Sequence, residues 1–188
     1  DLVGAAPQNR RKGRSGPGVR RRGKRKTRRC VSAGERIMET RELHASELDD
    51  LLVLYEHLHD ADIPLPDRSR VAATWREIQE NSRLKYFGVY IDGQLVSSCT
   101  LSIIPNLTRG CRPYGLIENV VTHKDFRRKG CGKAVLQHAL QYAWSQGCYK
   151  VMLMTGRKDE GTYRFYESAG FDRHAKQAFL AKPQGKGG

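Results

Sequence analysis

From residue 38 onward the apolar positions switch repeatedly between a period of two and a period near 3.6, so strands and helices alternate along the chain. Thr40 to Leu43 reads as a short strand. Leu48, Leu51, Leu52, Tyr55 and Leu58 then recur at helical spacing behind Ser46, a suitable N-cap. Pro64 and Pro66 interrupt both periods, so residues 59–70 read as a loop, followed by a helix over 71–80. Tyr86 to Tyr90 and Leu95 to Ile104 flank Asp92-Gly93, a dipeptide suited to a two-residue hairpin turn. After the polar link 105–115, residues 116–122 form a strand. Val135, Leu136, Ala139, Leu140 and Ala143 mark one face of a helix that stops near Gly147. Tyr149 to Thr155 is apolar enough for burial on both faces, a helix spans about 160–168 and ends at Gly170, and residues 171–181 supply a last strand or hairpin arm. The alternation predicts an α/β (α+β) domain with no internal repeat.

Charge changes the picture at one end. Of the 188 residues, the first 37 hold 13 Lys/Arg and 2 acids, against 21 and 18 in the remainder, so most of the net charge of +14 belongs to the tail. With hardly any large apolar side chain, residues 1–37 are expected to be a disordered basic tail, dispensable or foreign to the native protein, since Met38 opens a compact stretch. The domain is expected over 38–182, with a flexible end at 183–188. The cysteines, at 30, 99, 111, 131 and 148, are odd in number and form no CxxC pair. That usage fits a reduced, cytoplasmic protein, and no metal-ligand spacing stands out. No apolar run approaches the roughly 18 residues of a membrane span.

The chemistry concentrates in residues 116–142, where an apolar strand passes through a basic glycine loop into an amphipathic helix. Gly130 and Gly132 let the main chain turn tightly and approach a ligand, and Arg127, Arg128, Lys129 and Lys133 bring positive charge. The helix adds the positive end of its dipole, so the segment is suited to a diphosphate. Two nucleotide readings fail on residues. A P-loop needs glycine where Arg127 stands and a hydroxyl residue where Ala134 stands, and a dinucleotide fingerprint needs a third glycine at Val135.

What remains, Arg127-x-x-Gly130-x-Gly132, resembles the (Q/R)xxGx(G/A) pyrophosphate loop of the GNAT superfamily of acetyl-CoA-dependent N-acetyltransferases. The strand ENVVTH stands just before it, and Phe165 to Phe171, FYESAGF, is similar to the FYExxGF signature of that superfamily. The likeness spans residues 38 to 181. GCYK at 147–150 and the DE pair at 159–160 further resemble the glucosamine-phosphate N-acetyltransferase branch. The chain departs from that branch in a longer connection from Lys150 to Tyr166 and in Asn119, where the branch has an acid.

The resemblance implies a mixed, mostly antiparallel twisted sheet of about six or seven strands, flanked by about four helices and splayed between the fourth and fifth strands. It implies acetyl-CoA as acetyl donor and no metal. The diphosphate would rest on the amides from Arg128 through Lys129, Gly130, Cys131 and Gly132 to Lys133, with Arg127 beside them. Val121 and Thr122 would face the pantetheine, and a freed amide near Val120 would polarise the thioester carbonyl, a contribution of roughly 3 kcal/mol. Glu118 is the implied proton acceptor for the amine and Tyr166 the implied donor to the leaving thiolate. His123, beside the loop, reads first as a turn residue, and Cys131 has no histidine partner for nucleophilic work. Asp159 and Thr162 stand where many family members carry other residues before the tyrosine motif.

The expected activity is transfer of an acetyl group to the primary amine of a small molecule, an aminosugar, polyamine or similar, by direct attack in a ternary complex. The acceptor would be chosen by loops 59–70, with Asp60, Asp62 and Asp67, and 105–115, with Arg109, Arg112 and Tyr114. Two other classes stay open: a nucleic-acid-associated protein working through residues 1–37, and an acyl-CoA-binding protein without turnover. A homodimer is compatible with the fold, and nothing points to a membrane partner.

Overall fold

The computed structural model describes residues 37–58 and 63–183. The expectations for the basic tail up to residue 36, for Asp60 and Asp62, and for residues 184–188 lie outside the described residues.

Five strands form one sheet in sequence order: β1 (Met38–Glu42), β2 (Leu84–Ile91), β3 (Gln94–Ile104), β4 (Tyr114–Thr122) and β5 (Val151–Leu153). The first four run antiparallel to their neighbours, and β5 runs parallel to β4. Asp92 and Gly93 both adopt positive φ, 52° and 84°, the geometry that a two-residue hairpin between twisted strands requires. Among the described residues, five helical segments accompany the sheet: α1 (Leu48–Tyr55), α2 (Arg68–Glu80), α3 (Thr108–Cys111, a single left-handed turn with Arg109, Gly110 and Cys111 at positive φ), α4 (Cys131–Ser145) and α5 (Glu160–Ser168).

Helices cover both faces, which is why β2 and β3 are buried along most of their length instead of alternating. On one face the apolar stripe of α4, Val135, Leu136, Ala139 and Ala143, packs against Phe87, Val96, Cys99, Leu101 and Ile117. On the other, Leu51 and Leu54 of α1 and Trp75 of α2 pack against Tyr90, Leu95 and Val121. Trp75 meets Tyr86 edge to face and donates its indole N–H to the Ala45 carbonyl at 2.7 Å.

The structure corrects several expectations. Ser46 is not a cap: it lies inside a 3₁₀ turn at Ala45–Glu47, and the Glu47 carboxylate instead accepts the His44 N–H at 2.6 Å. The α2 helix begins at Arg68, three residues earlier than the periodicity placed it, because the Asp67 carboxylate caps the Arg70 N–H at 3.0 Å. Among the described residues the sheet has five strands rather than six or seven. Among the described residues, 171–183 contain no strand, and β5 keeps only three of the seven residues expected of it.

Candidate active site

β4 is hydrogen-bonded along one edge to β3, but along the other it pairs with β5 only at Gly115, Leu116 and Ile117. β5 ends at Leu153, opposite Ile117, so the main chain of Glu118 to Thr122 faces an opening between the two strands. A β-bulge falls inside that stretch. Glu118 pairs with Thr100 and Val121 with Ser98, which leaves both Asn119 and Val120 opposite the single residue Cys99. Asn119 takes the left-handed conformation, φ 52°, that asparagine tolerates better than most side chains. One residue more on β4 than on β3 takes main-chain groups out of the ladder where the strands part. Burial pushes the Cys99 thiol behind the bulge up to about 12, so it is neutral.

Past Thr122 the chain turns through a 3₁₀ segment, Lys124–Phe126, into the glycine loop. Arg128 (φ 59°) and Gly130 (φ 85°) adopt left-handed conformations, and α4 starts at Cys131 with no side-chain cap. The N–H groups of its first turn therefore point out of the helix end with partial positive charge. The loop fits a phosphate-bearing ligand. A Cβ on Gly132 would come within 3.0 Å of Phe165 Cζ and 3.1 Å of Thr122 Oγ1, so this turn is seated tightly on β4 and α5, whereas nothing lies within 4 Å of one on Gly130. The main chain at Gly130 is thus open to a close approach.

The loop's side chains divide. Arg127 braces the scaffold: its Nε donates to the Thr122 carbonyl at 3.2 Å and its Nη2 to the His57 carbonyl at 3.3 Å, linking the end of α1 to the end of β4. Lys129 lies over the Phe126 ring at 5.1 Å, and Arg128 and Lys133 are exposed. Cys131 is buried, and burial raises its thiol, the reverse of what a nucleophile needs. Val121 is buried, Val120 and Thr122 are half-buried, and the Thr122 hydroxyl meets Ser97 Oγ at 2.8 Å.

Glu118 stands at the first β4 position beyond β5, its side chain exposed and its carbonyl accepting the Thr100 hydroxyl at 3.1 Å. Tyr166 approaches from α5, half-buried against Phe165 and Phe171. Burial raises its phenol, the Glu118 carboxylate adds to the rise, and Arg157 and the Thr155 hydroxyl oppose it. The Tyr166 phenol thus senses the Glu118 carboxylate. Tyr166 also lines a cavity of about 620 Å³ between β5, α5 and residues 170–178. Asp159 and Thr162 act locally, since the Asp159 carboxylate accepts the Thr162 N–H and hydroxyl, both at 2.8 Å, and so caps α5.

Three features carry no motif. His57 and His123 meet edge to face with ring centroids 4.2 Å apart beside the glycine loop. Arg112 donates to the Gly147 and Cys148 carbonyls, both at 3.2 Å, closing the end of α4. Tyr55, at the end of α1, reaches the bulge. Loop 105–113 leaves the sheet at the end of β4 opposite the glycine loop, about 26 Å of strand away. Among the described residues, no three metal-ligating side chains converge, and no helix is long and apolar enough to cross a membrane.

Comparison with known proteins adds to this geometry. The model of the acetyltransferase (GNAT) family matches residues 30–171. The chain is 36% identical over 146 residues to a glucosamine 6-phosphate N-acetyltransferase of Trypanosoma brucei brucei, covering 76% of this chain and 95% of that protein. Among solved structures, a protein from Agrobacterium tumefaciens str. C58 assigned as an acetyltransferase superposes with a TM-score of 0.72 at 39% identity, covering 77% of this chain and 99% of the other. The aminoglycoside N-acetyltransferase AAC(6')-Iy, solved in complex with CoA, superposes with a TM-score of 0.66 over 81% of this chain and 99% of its own; at 20% identity it speaks to the fold alone.

Proposed function

The chain belongs to the acetyltransferase (GNAT) family and is an N-acetyltransferase, and from that premise we propose that it moves the acetyl group of acetyl-CoA to the primary amine of an aminosugar, a phosphorylated one first among them. The observation that carries the reading is the opening of the sheet after Ile117, with the bulge at Asn119 and Val120 inside it and the glycine loop at its end. The likeness to a glucosamine 6-phosphate N-acetyltransferase over nearly the whole of that protein favours the sugar phosphate over a polyamine.

In this reading the amides from Arg128 to Lys133 hold the diphosphate, and the open edge of β4 at Val121 and Thr122 holds the pantetheine as an added strand would be held. Bound acetyl-CoA supplies an acetyl group already activated as a thioester. An amine with lysine-like basicity, about 10.4, is almost wholly protonated at neutral pH. Glu118, exposed where the strands part, accepts that proton directly or through a water. The bulge amide near Val120 donates to the carbonyl oxygen as negative charge develops there. Tyr166, whose raised phenol keeps its proton, donates it to the departing sulfur. Residues 1–37 take no part in this chemistry, and their removal should leave turnover unchanged.

Thermal unfolding with acetyl-CoA, ATP or NAD tests the binding step. Acetyl-CoA at a hundred times its Kd should add about 2.7 kcal/mol and raise Tm by about 5–10 °C, while ATP and NAD give far smaller shifts. Thiol release on a panel of glucosamine 6-phosphate, glucosamine, an aminoglycoside and a polyamine tests the acceptor, with the sugar phosphate expected to have the highest kcat/KM. Binding without thiol release on any amine would leave a non-catalytic acyl-CoA-binding protein, and no preferential shift with acetyl-CoA would remove the proposal altogether.

A further inference from the structure

Tyr55 is the last residue of α1, and its ring packs into the apolar layer between α1 and the sheet with Leu54, Tyr86 and Val121. Its hydroxyl oxygen is sealed from solvent and makes no hydrogen bond at normal distance. Such groups are rare, because burial strips them of water without replacement, and each calls for a reason. Among the described residues one other buried side-chain polar atom is in this state, Ser98 Oγ. Ser98 is the β3 residue at the edge of the bulge, paired with Val121. The polar side chain that approaches the Tyr55 hydroxyl is Asn119, the left-handed residue that makes the bulge. Both under-bonded groups therefore lie along the bulged stretch of β4 from Asn119 to Val121.

We propose that Tyr55 is a positioning residue for acetyl transfer, its hydroxyl oxygen engaging the Asn119 side-chain amide and so fixing the left-handed turn that aims the bulge amide at the thioester. This deepens the function proposed above and rests on its reading of β4 as the strand that bears the activating amide. Three properties of the pair suit that role. Asn119 is one of the few non-glycine residues that hold positive φ at low cost. Being neutral, it adds no second negative charge beside Glu118. Burial raises the Tyr55 phenol far above its ordinary value, so the hydroxyl stays neutral at every pH where the protein works. A helix on one face of the sheet thereby sets main-chain geometry in the strand beneath it, and a displacement of that amide by about 1 Å is enough to cost on the order of a hundredfold in rate.

Tyr55→Phe removes one oxygen and keeps the ring, so the variant should fold. The expected result is a fall in kcat of about tenfold with KM for acetyl-CoA unchanged within about twofold. Tm should stay close to the parent value, because a contact longer than a normal hydrogen bond contributes little to stability. In the ligand-free variant the Val120 amide should exchange with solvent at least about fivefold faster than in the parent protein, a readout that needs neither substrate nor turnover. Asn119→Ala should reproduce both effects, and the double variant should be no worse than Asn119→Ala alone, since the two side chains act as one unit. Wild-type kcat and unchanged Val120 exchange in Tyr55→Phe would overturn the proposal. So would a lowered Tm with kcat and KM moving together, which marks a packing residue, or fully additive losses in the double variant. A parent protein that fails to bind acetyl-CoA would instead sink the functional reading, and the exchange and stability measurements would still decide whether Tyr55 and Asn119 are coupled.

Discussion

Tyr166 shows how a residue found by motif acquires its chemistry from its surroundings. Its place in FYESAGF was plain from the sequence, but the rise of its phenol comes from burial on α5 and from Glu118, two contacts that no local pattern encodes. A raised phenol stays protonated through neutral pH and well into the alkaline range, so the group can donate and cannot serve as a base. Tyr166→Phe should therefore lower kcat by on the order of a hundredfold. Its Kd for acetyl-CoA should stay within about twofold of the parent value, because a hydroxyl that meets the sulfur only as charge develops contributes little to ground-state binding. Steady-state thiol release and calorimetry read the two quantities, and unaltered turnover would remove Tyr166 from the chemistry. Arg127 marks the limit of the same kind of reading. Its spacing from Gly130 and Gly132 was legible, but the use of its guanidinium to join the Thr122 and His57 carbonyls depends on a contact 70 residues away in sequence.

At the scale of elements, legibility follows locality. The hairpin at Asp92-Gly93 and the apolar stripe of α4 rest on residues within one turn or one helix, and both stand where the periodicity put them. The start of α2 was within reach of the capping rule but was hidden by the proline run before it, since Asp67 reads as loop until its bond to Arg70 is seen. Residues 171–181 have enough apolar character for a strand, yet a strand exists only with a partner edge, and that requirement is not written in the segment itself. The glycine loop allows a finer test because its two glycines are constrained differently. Gly130 has open space but φ of 85°, so Gly130→Ala should lose about 1–2 kcal/mol to backbone strain and weaken acetyl-CoA binding with it. Gly132 has helical backbone, and an added Cβ would press on the edge of a half-buried Phe165 ring that can yield by a few tenths of an ångström. Gly132→Ala should accordingly stay within about 1 kcal/mol of the parent, its crowding offset by the helix preference of alanine. Urea unfolding of the two variants checks the order, and a larger loss at Gly132 would show that the contact with Phe165 and Thr122 governs the loop.

For the molecule as a whole, an ion pair ties the first strand to the turn that leads into α1. Arg41 on β1 forms a two-pronged bond to Glu47, Nη1 to Oε2 at 2.8 Å and Nη2 to Oε1 at 2.7 Å, and its guanidinium lies 3.8 Å from the centre of the Tyr90 ring on β2. The same carboxylate accepts the Tyr90 hydroxyl at 3.0 Å and the His44 N–H, so it joins β1, β2 and the turn into α1. The Arg41 guanidinium is the main reason that the Glu47 carboxyl falls from its ordinary 4.5 to about 2, with burial working against it. A depressed carboxyl stabilises the folded state above its unfolded value, and the contribution disappears as pH falls from about 4.5 toward 2. Because the pair keeps some solvent contact, its worth is on the order of 2 kcal/mol at neutral pH. Glu47→Gln should lose about that much at pH 7, and the gap between variant and parent should shrink to less than about half by pH 3, where much of the parent's advantage has titrated away. Urea midpoints at the two pH values measure the gap directly. A gap that stays constant from pH 7 to pH 3 would mean that hydrogen-bond geometry, and not the charge of Glu47, holds β1 to α1, and the acid sensitivity of the fold would then have to originate in another carboxylate.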